Sequence, residues 1–259
     1  MSRLLHELRA PEIAERIGPG SVIVQPVGAI EQHGPHLPLS TDLDIAGGLA
    51  QRVVAERGDE LDLWLLPPLA YSKSDEHDWS PGTVWLSATT MLAVLDDIGR
   101  SIATLPAKRL AFINGHGGNS ALLAVANREL RRHHDLMTFL LHPHQPRDSG
   151  GASDEDELGL GVHGGRDETA MMLALRPELV DMTLASRSIP DEMAARKHVK
   201  FGGSVPFGWR SSDVSSTSHG AIGDPTLATL AIGESLVAGA VRELGEQLAE
   251  VAAFTFPAT

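Results

Sequence analysis

Short apolar runs alternate with amphipathic stretches along most of the chain. Ser21–Pro26 (SVIVQP) is rich in β-branched residues and predicts a buried strand. A helix is expected from about Ile45 to Arg57, ended by Gly58. Leu63–Leu66, halted by Pro67 and Pro68, reads as a second strand. From about Ala88 to Leu105, Met91, Val94, Leu95, Ile98, Ile102 and Leu105 fall on one helical face. Arg109–Ile113 predicts a third strand, Ser120–His134 a helix and Leu136–Leu141 a fourth strand. Thr169–Leu175 (TAMMLAL) reads as a buried helix stopped before Pro177. A last helix is expected from about Pro225 to Val251, with Pro225 near its first position. Between them, Ile189–Asp224 is Gly/Ser-rich and poorly periodic, and loops that long are usually functional or mobile. The alternation predicts an α/β fold over residues 1–259, one domain whose mainly parallel sheet is flanked by helices. In such sheets, sites gather at the carboxyl ends of strands.

Composition narrows the chemistry. The chain has 259 residues and no cysteine. Disulfides, thiolate metal sites and a cysteine nucleophile are therefore excluded, which leaves His, Asp and Glu to hold any metal. The formal net charge of −13 argues against nucleic acid and anionic membrane as partners. The stretch Met1–Arg16 lacks the apolar run of a signal peptide, and a cytoplasmic protein is expected. Gln145–Glu157 is polar and acidic and reads as a mobile surface loop.

Two chemically loaded clusters directly follow strands. Gly28–Asp42 (GAIEQHGPHLPLSTD) packs Glu31, His33, His36 and Asp42 into a Gly/Pro-rich turn. Carboxylate oxygen with imidazole nitrogen suits Zn or Mn. The alternative is a polar loop in which Asp42 or Asp44 caps the next helix. Asn114–Asn119 (NGHGGN) sets His116 among glycines that allow close backbone approach. A third cluster, His163–Thr169 (HGGRDET), puts Glu168 at the edge of an apolar helix. A carboxylate there must be paired, metal-bound or exposed; a first-turn Glu favoured by the helix dipole is the plain alternative. Ser72–Thr83 is polar with one large aromatic and reads as a wall or lid over a site.

In order, Pro26–Asp42, Glu76-His77 with Pro81-Gly82-Thr83, Asn114–Asn119, His163–Thr169 and Gly220–Thr229 (GAIGDPTLAT) resemble the creatininase family. The resemblance implies two divalent metal ions per subunit, Zn or Mn with Fe compatible, and a homohexamer. Carried over, Glu31 and His116 hold one metal, His33 the other, and Asp42 bridges them. His163 becomes the proton-transferring histidine; Ser74, with Glu76, His77 and Gly117, falls where substrate binds. The chain departs from creatininase itself. There the NGH stretch continues with Tyr and a metal-binding Glu, where this chain has Gly117 and Gly118. The tryptophan preceding the catalytic histidine is also missing around Gly159. Glu168 is the expected replacement carboxylate, and creatinine is disfavoured as substrate. Asn114–Asn119 is similar instead to other branches, including formamide hydrolases and a peptide-maturation peptidase.

The expected activity is hydrolysis of an amide C–N bond in a small cyclic amide, formamide or short peptide. Two metals would lower the pKa of a shared water from about 15.7 toward neutrality, and its hydroxide would attack the amide carbonyl. His163 would protonate the leaving nitrogen. The competing reading is a non-catalytic metal- or ligand-binding protein on the same scaffold. A serine hydrolase is disfavoured, because no Gly-x-Ser-x-Gly surrounds any serine.

Overall fold

The computed structural model describes residues 2–143, 155–215 and 219–256. Strands β1 (Val22–Val27), β2 (Leu63–Leu65), β3 (Arg109–Asn114) and β4 (Met137–Leu141) form one parallel sheet in the order β2-β1-β3-β4. Val24 lies opposite Leu65 on one side and Ala111 on the other, and Ala111 opposite Phe139. Both faces are covered, which explains why the strand segments read as continuous apolar runs.

The period-two alternation of the strands divides the interior into two cores. Val22, Val24, Ala111 and Ile113 face α2 (Thr41–Leu61), α5 (Arg166–Leu175) and α8 (Leu230–Ala253). Ile23, Leu110 and Phe112 face α3 (Ala88–Ile102) and α4 (Ser120–His134). Fully buried Leu49, Leu95, Leu123 and Leu244 anchor these helices, each contributing about 1.5–3 kcal/mol by leaving water. The N-terminal α1 (Ala10–Arg16) adds Ile13 to the second core.

Several boundaries differ from the pattern-based expectation. Helix α2 begins at Thr41 and passes through Gly58, which is buried against the stem of Arg3. Packing there outweighs the cost of a helical glycine, about 1 kcal/mol. The stop is Asp62, at φ 50°. Ser40 is the N-cap residue of α2, so Asp42 and Asp44 lie in its first turn and neither is the cap. Helix α5 starts at Arg166, which puts Glu168 in its first turn. Pro225 begins a short 3-10 turn capped by Asp224, and α8 starts only at Leu230, where the Thr229 hydroxyl accepts from the Ile232 N–H. Two short helices, α6 (Asp191–Ala194) and α7 (Ser211–Val214), interrupt the stretch from 189 to 224. That stretch also has a small core of Leu160, Ile189, Phe201 and Ile222. Of the expected surface loop, residues 145–154 lie outside the described residues. Glu157 at its end is not on the surface: it is buried and accepts the N–H groups of Arg166 and Asp224.

Candidate active site

The chain leaves β1 into Gly28, and a Cβ there would stand 2.5 Å from the Leu43 Cα. Only glycine lets the first turn of α2 sit that close, and this contact brings Asp42 beside Glu31. His116 follows β3 directly, so both groups occupy the carboxyl ends of adjacent strands. Glu31, His33, Asp42, His116 and His163 are all buried.

Their distances define one cluster. Glu31 Oε1 is 3.3 Å from His116 Nδ1, 3.4 Å from His77 Nε2, 3.6 Å from His163 Nδ1 and 3.8 Å from His33 Nε2. Asp42 stands between two imidazoles, with Oδ2 at 3.0 Å from His116 Nδ1 and Oδ1 at 3.1 Å from His33 Nε2. Glu168 Oε2 approaches His33 Nε2 at 3.9 Å and accepts the Gly164 N–H. Ligand atoms of Glu31, Asp42 and His116 lie within 4.8 Å of one another, as do those of His33, Asp42 and Glu168, and those of Glu31, His33 and His163.

Hydrogen bonds on the far side of each ring set its orientation. His116 Nε2 donates to the Lys73 carbonyl at 2.9 Å and lies 3.3 Å from Glu76 Oε1, so Nδ1 is the nitrogen turned toward Glu31 and Asp42. His33 Nδ1 donates to the Glu31 carbonyl at 3.2 Å, leaving Nε2 to the cluster. His163 Nε2 donates to the Gln32 carbonyl at 2.5 Å, leaving Nδ1 inward. His77 has the opposite tautomer. Its Nδ1 accepts from the Gln32 amide and the Ser211 hydroxyl, each at 2.9 Å, so its Nε2 carries the proton.

Close contact between opposite charges governs titration in this cluster. Burial pushes Glu31 well above the usual carboxylate range. Burial opposes the charge on His33, yet Asp42, Glu168 and Glu31 together raise it to about 10. His116 is likewise raised against burial by Glu31, Asp42 and Glu76. Asp42 is held far below its ordinary value because His33 and His116 outweigh burial. His163 and His77 go the other way: burial keeps both neutral, His77 with a pKa of about 3.

The residues fit cations. Glu31 Oε1 and Asp42 Oδ2 are buried with no hydrogen-bond partner, and each faces an imidazole nitrogen. Buried carboxylate oxygens left so are paired with charge or bind metal. Around them opens a cleft of about 100 Å³ lined by Asp42, Glu76, His77, Gly117, His163 and Trp209, among others. Gly117, Glu76 and His77 thus line the cleft. Ser74 does not line it; its hydroxyl donates to Glu31 Oε2. Gln32, Ser211 and Trp209 join the site without having been singled out from the sequence.

Carboxylates and imidazoles thus gather at the carboxyl ends of a parallel sheet, where α/β proteins place their sites, in groups able to hold metal ions. The family profile described as creatinine amidohydrolase matches residues 6–248. The mycofactocin precursor peptide peptidase of Mycolicibacterium smegmatis is 35% identical over 234 residues, covering 88% of this chain and 84% of the relative. Creatinine amidohydrolase of Pseudomonas putida is 35% identical over 193 residues, covering 68% of this chain and 73% of the relative. A solved structure of the manganese form of creatininase superposes with a TM-score of 0.76 at 27% identity, covering 96% of this chain and 98% of the other. The chain belongs to the creatininase family of amidohydrolases. Among the described residues, no helix is long and apolar enough to cross a membrane.

Proposed function

We propose that Glu31, Asp42 and His116 hold one divalent cation and that His33, Asp42 and Glu168 hold a second, with Asp42 shared. Zn or Mn fits this donor set; a mutant creatininase has been solved in a Zn–Zn form and creatininase in a Mn form. The observation that carries the reading is the pair of unpartnered buried oxygens, Glu31 Oε1 and Asp42 Oδ2. Cations bound there would supply polarisation of a carbonyl and a lower pKa for a water, from about 15.7 toward about 7.

The chain's own residues do the rest. Ser74 orients Glu31, the Lys73 carbonyl and Glu76 orient His116, and the Glu31 carbonyl orients His33. The neutral His163 turns its Nδ1 lone pair inward. It takes a proton from the attacking water and returns it to the leaving nitrogen. His77 presents an N–H that can donate to the oxygen on which charge develops. The substrate is a short peptide or similar linear amide. The similarity to a peptide peptidase supports this choice, and so does the small Gly117 on the cleft wall.

Glu168→Gln tests the assignment, because it keeps shape and removes charge. Metal content should fall from about two per chain toward about one, and amide hydrolysis with it. If Glu168 merely complements the helix dipole, stability drops by about 0.3–1 kcal/mol and both cations remain. Unchanged stoichiometry by elemental analysis would remove Glu168 from the ligand set.

A further inference from the structure

The cleft has an aromatic wall that comes from outside the cation cluster. The backbone at Arg210 is extended, at φ −112° and ψ 152°, so Trp209 and Ser211 project to the same side and Arg210 to the other. Arg210 is exposed and reaches Asp78 at 3.3 Å. Ser211 is buried against the site, bonded to His77 Nδ1 and accepting the Trp79 Nε1–H at 2.9 Å. Trp209 meets the His77 ring edge-on, with centroids 6.3 Å apart and planes at 85°. Behind it, Phe201 makes a T-shaped contact at 5.0 Å, and Phe201 is itself part of the small core with Ile189 and Ile222. The indole is thus held on two sides, half-buried, and lines the cleft together with Gly117, Gly118 and His163.

We propose that Trp209 is a specificity-determining residue that favours substrates carrying a flat apolar group beside the scissile amide. The proposal rests on the cation-centred hydrolase reading above. A rigid indole beside the glycine pair offers a planar apolar surface at low ordering cost, since its own rotamer is already fixed by packing. Gly117 has no side chain to fill the cleft from its side. A ring on the substrate would lie against the indole, offset or edge-on, as aromatic pairs prefer. The extended strip Trp209–Ser211 ties this wall to His77, so the surface that selects the substrate and an N–H facing the cluster move as one unit.

The test uses the full chain loaded with Zn and two probes with the same metal-chelating head: acetohydroxamate, and benzohydroxamate, which adds one ring. Calorimetry gives a Kd for each. Wild type should favour benzohydroxamate, and Trp209→Ala should shrink that preference by roughly three- to tenfold, leaving acetohydroxamate unchanged. Trp209→Phe should keep most of the preference, and Trp209→Leu, which keeps apolar bulk without a ring, should lose it. Zn content and melting curves of each variant separate a lost wall from a lost fold. A preference that survives in folded Trp209→Leu overturns the proposal, as does its absence in wild type. A wild-type chain that takes up no Zn overturns the cation reading instead, and the proposal with it.

Discussion

Gly118 and Glu76 compete for one volume. A Cβ on Gly118 would stand 2.1 Å from Glu76 Oε1 and 2.5 Å from His116 Nε2. Creatininase itself, which this stretch resembles, has a glutamate side chain at that position; here the space next to the backbone is taken by the Glu76 carboxylate, which comes from another loop. It lies against His116 Nε2, on the far side of the ring from Asp42. Burial opposes its charge, but His116 outweighs burial and holds its pKa at about 2. Gly118→Ala should therefore push on both the flexible carboxylate and the fixed imidazole. Loss of the His116 orientation should weaken one cation about 10–100-fold. Adding Glu76→Ala frees half of the clash. The two substitutions should be coupled by about 0.5–3 kcal/mol in a double-mutant cycle read by Zn titration. Simple additivity would show that the two residues do not share the space. At this scale the chemistry of the cluster was readable in advance. Without cysteine, only His, Asp and Glu could gather, and Glu31, His33 and His116 stand in Gly-rich turns after strands, with Asp42 at the start of the helix that follows the first. Gln32, Ser211 and Trp209 left no such trace. An amide, a hydroxyl and an indole in irregular segments have no periodicity and no characteristic spacing.

Elements were legible where tertiary packing agrees with local preference. Strand positions follow from short apolar runs to within a residue or so, because burial on both faces leaves nothing else those runs can do. Helix ends were harder. Gly58 looks like a stop, yet α2 runs three residues further because the glycine packs on Arg3 and the true stop is built from distant groups. Asp62 accepts from Arg3 Nη1 at 2.7 Å, from Trp64 Nε1 at 2.9 Å and from the Ser21 hydroxyl. These bonds join the N-terminal segment, β1 and β2 at one left-handed residue. Burial opposes its charge, but the Ser21, Arg3 and Trp64 bonds outweigh it and lower the Asp62 pKa. Asp62→Asn tolerates the left-handed backbone and removes only charge. Bonds to charged groups contribute about 1.5–3 kcal/mol, and partial exposure reduces this to about 1 kcal/mol. A group with a depressed folded pKa stabilises above its unfolded value, about 3.9, and loses that contribution as pH falls through the folded value. Urea melts should therefore show Asp62→Asn less stable than wild type at pH 7, with the gap closing below about pH 4. A gap that stays constant down to about pH 2 would mean the charge contributes nothing.

Across the whole molecule, the cluster joins segments far apart in the sequence. Glu31 and His33 come from the loop after β1, Asp42 from α2, Glu76 and His77 from the loop before α3, His116 from the end of β3 and Glu168 from α5. Both cores border it, since α2 and α5 pack on one face of the sheet and α3 on the other. Without cations, the buried carboxylates must be balanced by protons on His33 and His116, which burial disfavours. Cations that bind only the folded chain stabilise it by mass action, about 4.1 kcal/mol at a thousand times Kd. In a domain of this size each kcal/mol moves the melting temperature by about 2–4 °C. Removing the cations with a chelator should therefore lower Tm by roughly 8–16 °C for a single tightly held ion. Returning Zn or Mn should restore it, whereas Mg, which prefers an octahedral shell of oxygen, should restore less. The loss should also be local. Amide exchange should speed up most in residues 28–42 and 163–168, and least in β4 at the far edge of the sheet, which contributes no ligand. A uniform rise in exchange would mean that the chelator acts on the fold as a whole. No change in Tm, in protein shown by elemental analysis to have lost its metal, would mean that Glu31 and Asp42 are satisfied without cations, and the paired-cation reading would fall.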